Sequence, residues 1–327
     1  MVADRGLILR LLHGGQIVSG AEIARRLGVS RVMVHKDIRQ LSAEGCRIEA
    51  VPRRGYRLLC WPDAPRPEVM DALWGGRGFP VRFLPETTST NAAALSWAIE
   101  GAVEGATVTA DHQTAGRGRR GRSWQDPPGE SLLASIVLRP RLPVASLGWL
   151  PLAVGLGAAR AVGATCGRTP ELKWPNDLLL RGRKVGGVLL ELALEEQEVR
   201  HAVAGIGVNV RQTALGAEIA DSATSLRLAL GYPGGRAELL AELVPQVLRA
   251  VRELEDDAPS LQGAWRAACT TLGRDVRLLG PQGEVHGRAV DVDALGRLVI
   301  EGPAGRQAFA AGDVSVRPAG GDAPDLA

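Results

Sequence analysis

Apolar residues near the N-terminus recur first at helical spacing and then at strand spacing. Residues 8–12 start one helix, and Ser19 with Glu22 three positions later forms a capping box that begins a second. Ser30 caps a third helix, in which apolar residues recur every third or fourth position. This order of helix, short glycine turn and helix predicts a helix-turn-helix, and the strand-like runs 46–51 and 56–59 predict a wing.

The segment from about residue 80 to residue 268 mixes strand-like and helical runs. Because the strands are joined by glycines and often follow one another directly, the pattern favours an α+β fold with a mainly antiparallel sheet. Beyond this segment, short alternating runs separated by glycine and proline predict a small SH3-like β-barrel. The strands of the middle segment are predicted at 81–84, 106–110, 132–138, 185–192 and 199–210, and its helices at 91–100, 150–166 and 237–255.

The predicted architecture is therefore α+β with three domains and one linker. Residues 1–61 form a winged helix-turn-helix DNA-binding domain, and the proline-rich start of residues 62–79 predicts a semi-rigid linker. Residues 80–268 form a mixed α/β core, and residues 269–320 form the C-terminal barrel.

Composition indicates a globular protein of the cytoplasm. Of its 327 residues, 45% are hydrophobic and 23% are charged, which is ordinary for that class. Apolar runs fall short of the ~18 residues that span a bilayer, and the N-terminus lacks the apolar core of a signal peptide, so no membrane attachment is expected. The four cysteines form no CxxC pair, which predicts structural thiols rather than a zinc site or disulfides.

Positive charge is concentrated at the N-terminus. Residues 1–60 contain 11 basic and 5 acidic residues, whereas the whole chain has a net charge of only +3. A basic domain on a slightly acidic body indicates an anionic partner, nucleic acid first, although a protein-interaction or purely structural module is an alternative. A winged helix places its third helix in the major groove and its wing on the backbone or minor groove. The candidate DNA contacts are Arg31, Lys36, Arg39, Gln40, Arg53 and Arg54.

Lysine and asparagine are scarce, and their positions are informative. Only three of the 39 basic residues are lysine, and asparagine also occurs three times. The chain uses arginine wherever a generic positive charge serves, so the remaining lysines and asparagines mark positions where side-chain chemistry matters. They are Lys36, Lys173, Lys184, Asn91, Asn176 and Asn209.

The most unusual stretch is residues 116–122, GRGRRGR, followed by Ser123 and Trp124. Glycines let the backbone approach a ligand closely, and arginines offer paired donors to carboxylate and phosphate oxygens. Trp124 could stack on an adenine ring. A basic loop for nucleic acid or a disordered arginine-glycine tract is the alternative, and the stretch is not a P-loop.

A second stretch, residues 173–177 with the sequence KWPND, precedes Lys184 by a few residues. A lysine can neutralise the negative charge that develops on a reacting carboxylate and α-phosphate, and Asp177 is an oxygen ligand of the kind Mg²⁺ prefers. A surface turn with incidental charges is the alternative. Two weaker signals are Ser89-Thr90-Asn91, which could simply cap a helix, and residues 205–209, GIGVN, whose glycines could simply mark a strand bulge.

Taken together, these motifs resemble bacterial biotin protein ligases of the bifunctional kind that also repress the biotin operon. The resemblance covers nearly the whole chain and includes C-terminal signatures at residues 287–298 and 312–317. It implies biotin, ATP and Mg²⁺ as substrates and cofactor, with Lys184 and Arg117 as the catalytic residues and Asp177 as the metal ligand. The implied biotin-binding residues are Ser89, Thr90, Asn91, Gln113, Gly116, Arg117, Gly118, Arg119 and Lys184. The implied nucleotide-binding residues are Arg119, Arg120, Arg122, Trp124, Lys173, Asn176 and Asn209.

The resemblance also implies a two-step reaction and two macromolecular partners. Biotin would react with ATP to give biotinyl-5'-AMP, and a lysine of the biotin carboxyl carrier protein would then accept the biotinyl group. Operator DNA would bind a homodimer that forms when biotinyl-AMP is bound. Three alternatives are a lipoate- or octanoate-attaching enzyme, a repressor whose core only senses biotin, and a ligase with a vestigial N-terminal domain.

Overall fold

The computed structural model describes residues 4–76, 78–124, 127–195, 198–280, 283–311 and 315–318. The chain divides into two compact units. The first comprises residues 1–83 with 234–241, and the second comprises residues 84–233 with 242–327.

The first unit contains the predicted helix-turn-helix. Both predicted serine caps are present: Ser19 Oγ accepts a hydrogen bond from Glu22 N at 3.1 Å, and Ser30 Oγ accepts one from Met33 N at 3.2 Å. Gly28 ends the second helix in the left-handed conformation, at φ 66°, which a glycine adopts without strain. The elements are α1 (Arg5–Leu12), α2 (Gly20–Leu27), α3 (Arg31–Ala43), β1 (Arg47–Val51) and β2 (Gly55–Cys60).

The wing is an antiparallel hairpin of β1 and β2, as predicted. Val18, just before α2, pairs with Tyr56 through two backbone hydrogen bonds of 2.9 Å, so the wing is fastened to the start of α2. Gly55 makes this approach possible, because a Cβ at this position would lie 2.1 Å from the carbonyl oxygen of Val18.

The segment predicted as a linker contains a helix, α4 (Pro67–Leu73). Pro67 occupies the first turn, where its missing N–H costs nothing, so the proline-rich run marks a helix start rather than an extended spacer. Val69 and Met70 are almost completely buried, and Asp71 forms an ion pair with Arg10 of α1. These residues therefore belong to the core of the first unit.

The second unit is built on a seven-stranded sheet with the order β3-β4-β5-β9-β8-β7-β6. The pairs from β4 through β6 are antiparallel, which confirms the predicted sheet type. The strands are β3 (Val81–Thr87), β4 (Thr107–Gln113), β5 (Ser131–Leu138), β6 (Glu171–Lys173), β7 (Asp177–Leu180), β8 (Arg183–Glu195) and β9 (Glu198–Asn209).

Helices accompany this sheet. Within the described residues, the stretch Val144–Cys166 is long and apolar enough to cross a membrane, but most of it is buried inside the fold, as in a core helix. Helices α5, α6 and α8 match the predicted ones, whereas α7 and α9 were not predicted. The helices are α5 (Thr90–Ile99), α6 (Leu150–Cys166), α7 (Leu226–Leu230), α8 (Arg236–Asp256) and α9 (Ala258–Ala268).

The C-terminal segment is a five-stranded antiparallel sheet with the order β13-β12-β11-β10-β14. The short alternating runs predicted beyond residue 268, at 276–279, 285–291, 298–301 and 307–310, correspond to the first four strands of this sheet in chain order. The fifth strand includes Ser315 to Arg317 of the C-terminal signature, and residues 312–314 of that signature lie outside the described residues. The strands are β10 (Asp275–Gly280), β11 (Gly283–Val292), β12 (Leu298–Gly302), β13 (Gly305–Phe309) and β14 (Ser315–Pro318).

Candidate active site

An open cavity lies in the second unit, with about 990 Å³ of empty space, part of it continuous with solvent. Fourteen of the residues predicted for the core site line it together, although they come from five separate stretches of sequence. They are Ser89, Thr90, Asn91, Gln113, Arg117, Gly118, Arg119, Arg120, Arg122, Trp124, Lys173, Asn176, Asp177 and Lys184.

Two glycines of β9 form the floor of the cavity. A Cβ at Gly205 would lie 2.2 Å from Asn91 Oδ1, and a Cβ at Gly207 would lie 2.8 Å from the indole of Trp124. Both side chains therefore rest directly on the strand backbone. The glycines are therefore required for close packing at the site. The strand bulge considered from the sequence is not needed to explain them.

Ser89, Thr90 and Asn91 lie at the start of α5. Ser89 occupies the N-cap position but forms no side-chain capping bond, so helix capping does not account for it. The N–H and the hydroxyl of Thr90 both approach Gln113 Oε1, at 2.7 and 3.0 Å. Thr90 and Asn91 also contact Ser135 of β5, a buried residue that the sequence analysis missed.

The arginine-glycine loop has a defined backbone structure. Gly118 N donates to the carbonyl of Arg122 at 2.7 Å, and Trp124 N donates to the carbonyl of Gly116 at 3.0 Å. A 3₁₀ turn lies between them, from Arg119 to Gly121. The stretch is therefore a folded part of the cavity wall and not a disordered tract.

Two buried donors of this loop lack partners among the described residues. Arg119 donates through Nη1 to Asn176 Oδ1 at 3.3 Å, but its Nη2 has no hydrogen-bond partner, and neither has Trp124 Nε1. Burial lowers the pKa of the Arg119 guanidinium. Nearby Asp177 opposes this lowering, and the positive charges of Arg120 and Arg122 add to it. Unpaired buried donors are costly, so this part of the wall suits a ligand that brings acceptor oxygens.

Lys184 and Asp177 form an ion pair in the cavity. Lys184 Nζ lies 3.0 Å from Asp177 Oδ1, and each side chain is only 16% exposed. The same ammonium lies 5.8 Å from the centre of the Trp124 ring. The main chain of Lys184 is fixed on both sides by the segment after β9, because Lys184 N donates to Ser222 O and Thr224 N donates to Lys184 O.

The KWPND stretch is anchored by its tryptophan. Trp174 is 1% exposed, and its backbone N donates to Thr271 Oγ1 at 3.0 Å. The peptide bond between Trp174 and Pro175 is cis. The amide of Asn176 donates to the carbonyl of Val188 at 2.8 Å. These contacts hold Lys173, Asn176 and Asp177 at the cavity wall.

Two predicted site residues do not line the cavity. Gly116 contributes its carbonyl to the base of the arginine-glycine loop. Asn209 donates to the carbonyl of Thr224 at 3.0 Å and so ties β9 to the segment that pairs with Lys184. The sequence marked Asn209 as important because asparagine is rare, but it could not show that the side chain acts on the fold of this segment.

Metal-ligating side chains are sparse in the part of the chain that the structure describes. It contains no cluster of three or more His, Cys, Asp or Glu side chains. Asp177 is the one carboxylate among the described residues that line the cavity. This donor set fits an ion such as magnesium that is held largely by phosphate oxygens and water.

A separate candidate surface lies on α3 and the wing tip of the first unit. The predicted contacts Arg31, Lys36, Arg39, Arg53 and Arg54 are all exposed there. Gln40 is also exposed, but its amide donates to Glu44 at 2.7 Å. The sequence analysis missed Val32, which is 80% exposed on the same helix, although an apolar residue on a polar face was a visible signal.

Three family models match the chain in the order of its segments. An HTH domain matches residues 5–57, the Biotin/lipoate A/B protein ligase family matches residues 83–209, and the Biotin protein ligase C terminal domain matches residues 271–317. The chain is also 32% identical to the bifunctional ligase/repressor BirA of Bacillus spizizenii over 315 residues, which cover 93% of this chain and 95% of that protein. The chain belongs to the bifunctional biotin ligase/repressor family. A second member, BirA of Escherichia coli, is 30% identical over 95% of this chain and 97% of its own length.

A solved biotin protein ligase has the same core fold. The biotin protein ligase from Aquifex aeolicus, in complex with biotin and ATP, superimposes with a TM-score of 0.64 at 31% identity. The superimposed region covers 73% of this chain and 99% of the Aquifex chain. The predicted family and fold class are thereby confirmed.

Proposed function

We propose that the chain activates biotin with ATP to biotinyl-5'-AMP and transfers the biotinyl group to a lysine of a biotin carboxyl carrier protein. The observation that carries this proposal is the Lys184–Asp177 ion pair beside the buried donors of Arg119 and Trp124, which have no partner among the described residues. A ligand with both a carboxylate and phosphates supplies the acceptors that these donors lack.

Biotin would occupy the side of the cavity near α5. Ser89, Thr90 and Gln113 offer hydroxyl and amide groups to its ureido ring, and Asn91 and Trp124 pack closely on the glycines beneath. Arg117 lines the same cavity and would bind the carboxylate. Asn91, Gly116, Gly118 and Arg119 support this subsite through the contacts described above.

The nucleotide would occupy the arginine-rich side. Arg119, Arg120 and Arg122 would hold its phosphates, and Trp124, Lys173 and Asn176 would contact the remainder. Magnesium, bound through Asp177 and the phosphates, would supply Lewis acidity. Asn209 would act indirectly, by holding the segment that pairs with the main chain of Lys184.

The first step forms a bond between a biotin carboxylate oxygen and the α-phosphorus, and pyrophosphate leaves. The Lys184 ammonium would neutralise the negative charge that builds on the carboxylate and α-phosphate oxygens. In the second step the ε-amine of the carrier lysine attacks the acyl carbon, AMP leaves and a proton is released. No side chain forms a covalent bond with biotin, so catalysis rests on orientation and charge neutralisation.

The winged helix would bind operator DNA and couple biotin supply to transcription. Exposed arginines on α3 and the wing would contact phosphates and base edges. A homodimer formed with bound biotinyl-AMP would require a palindromic operator, because two-fold symmetry in the protein is matched by the site. The protein would act in the cytoplasm, where ATP and carrier protein are available.

A lipoate- or octanoate-attaching activity is the second candidate, because the matching family model covers both chemistries. ATP–pyrophosphate exchange by the full chain distinguishes the two when biotin and octanoate are compared as the acid. Exchange with biotin and not with octanoate is the expected result. Preference for octanoate would assign the second activity, and absence of exchange with both would indicate a repressor that only senses its ligand.

A further inference from the structure

Four polar side chains form a buried chain of contacts behind the proposed biotin subsite. Gln113 Oε1 lies 3.0 Å from Thr90 Oγ1, Thr90 Oγ1 lies 2.8 Å from Ser135 Oγ, and Ser135 Oγ lies 2.6 Å from Asn91 Oδ1. Ser135 is completely buried, and Thr90 and Asn91 are at most 5% exposed.

Both ends of this chain are carbonyl oxygens, and backbone contacts fix their orientation. The N–H of Thr90 points at Gln113 at 2.7 Å, so the atom facing it is the oxygen and not the amide nitrogen. Asn91 directs its Nδ2 at the carbonyl of Leu189, at 3.4 Å, which leaves its oxygen facing Ser135. A flip of either amide would set two donors or two acceptors against each other.

This series of side-chain contacts has one hydrogen atom fewer than it has contacts. Its three contacts join four oxygen atoms, but only the two hydroxyls carry a hydrogen. Asn91 Oδ1 cannot donate, so the 2.6 Å contact requires that Ser135 donates to Asn91. The 2.8 Å contact between Ser135 Oγ and Thr90 Oγ1 also requires a hydrogen, which only Thr90 can then supply. Gln113 Oε1 already accepts the N–H of Thr90. The hydroxyl hydrogen of Thr90 is therefore used by Ser135, and Thr90 Oγ1 can only accept a hydrogen bond from the cavity.

We infer that Ser135, together with Asn91, is a positioning residue that makes Thr90 an obligate acceptor and so selects ligands that present an N–H group there. The inference rests on the proposed function, because biotin has ureido N–H groups and a fatty acid does not. A ligand without such a donor leaves a buried acceptor unpaired, which costs on the order of tenfold in affinity.

The test is a comparison of ligands and variants by isothermal titration calorimetry of the full chain. The ligands are biotin, desthiobiotin, which keeps both ureido N–H groups, and a pair of biotin analogues methylated at one or the other ureido nitrogen. In the unmodified chain, one methylated analogue is expected to bind at least about tenfold more weakly than biotin. Desthiobiotin controls for changes elsewhere in the ligand.

Ser135→Ala is expected to weaken binding of biotin and desthiobiotin about tenfold while changing binding of that methylated analogue less than twofold. Thr107→Val is the matched control, because Thr107 is also completely buried and its hydroxyl donates to the carbonyl of Gly105 at 2.9 Å. This control is expected to bind all ligands normally. Ser135→Cys, which keeps the side-chain volume and weakens the hydrogen bond, serves if the alanine variant does not fold.

Equal weakening of biotin and the methylated analogue would show that Ser135 is only structural, and unchanged biotin affinity would also overturn the inference. Failure of the unmodified chain to bind biotin is a different result, because it refutes the proposed function itself. If biotin and both methylated analogues bind with equal affinity, the inferred selection at Thr90 is refuted, but the proposed function is not.

Discussion

Side chains of the same type have different roles in this protein according to what surrounds them. Lys184 is held by Asp177 in the wall of the open cavity and is only 16% exposed, whereas Lys36 is exposed on α3. Asp293 is likewise more than a surface charge, because its carboxylate accepts hydrogen bonds from the backbone N–H groups of Leu295 and Arg297. Removing Lys184 or the carboxylate of Asp293 should therefore have effects that removing an exposed charge does not have.

Lys184→Ala is expected to lower the rate of biotin-dependent ATP–pyrophosphate exchange at least about 100-fold, because a half-buried positive charge near the reacting atoms is lost. Arg168→Ala, which removes an exposed positive charge, is the control and should leave the rate unchanged. Near-normal exchange by the Lys184 variant would show that another residue neutralises the developing charge.

Asp293→Asn is expected to lower the melting temperature at pH 7, and by progressively less as the pH falls below 3.8. Burial would raise the pKa of Asp293, but the hydrogen bonds from Arg297 and Leu295 outweigh it and hold the pKa below its usual value of 3.8. A carboxylate with a lowered pKa stabilises the fold above that usual value, and the stabilisation is lost as the pH falls through the lowered pKa. Thermal unfolding monitored by circular dichroism measures this, with exposed Asp256→Asn as control; a pH-independent difference would contradict the assignment.

Elements of this fold differ in how clearly the sequence predicts them. Periodicity predicts α6, α8 and the long strands, because each carries a sustained apolar pattern. It misses α4, since proline-rich sequence at a helix start looks like a linker, and the short α7 and α9. Unusual composition in the sequence indicates most of the site residues. It does not indicate Ser135, because a serine in an apolar strand gains its role only from the contacts with Thr90 and Asn91 when α5 packs against the strand.

Gly207→Ala is expected to reduce ATP affinity more than tenfold, because the added methyl group would lie 2.8 Å from Trp124, a proposed nucleotide contact, and displace it from the floor. Gly216→Ala is the matched control, since a Cβ at that position has no atom within 4 Å and no positive φ is required. Titration calorimetry with ATP measures the difference. Equal affinities of the two variants would show that close packing of Trp124 on β9 is dispensable.

Met70→Ala in α4 is expected to destabilise the protein by about 2–5 kcal/mol, because a completely buried side chain is replaced by a cavity. Met70→Leu, which nearly conserves volume, should cost less than about 1.5 kcal/mol. Urea unfolding followed by circular dichroism compares the variants. If both behave like the unmodified chain, the segment acts as a linker after all.

At the scale of the whole molecule, the candidate DNA surface and the candidate active site lie in different compact units. Each unit has its own buried core and its own set of charged residues. Substitutions on the DNA surface can therefore be designed without touching the residues of the ligase cavity.

Arg39→Ala is expected to weaken DNA binding and to lower the slope of log affinity against log salt by about 0.9 if Arg39 contacts one phosphate. Fluorescence anisotropy with a duplex selected from a random pool, in the presence of biotin and ATP, measures both quantities. Carrier-protein biotinylation should stay normal. A loss of biotinylation in this variant would show that the two activities are not separable.

The placement of the three lysines has a practical consequence for chemical labelling. Lys173 and Lys184 line the cavity, and Lys184 is engaged by Asp177, whereas Lys36 is exposed. An amine-reactive dye applied with the cavity filled by substrates will attach to Lys36 and the chain's α-amino group. A fluorophore can thus be installed on α3, the helix of the candidate DNA surface, in the unmodified protein and without an engineered cysteine.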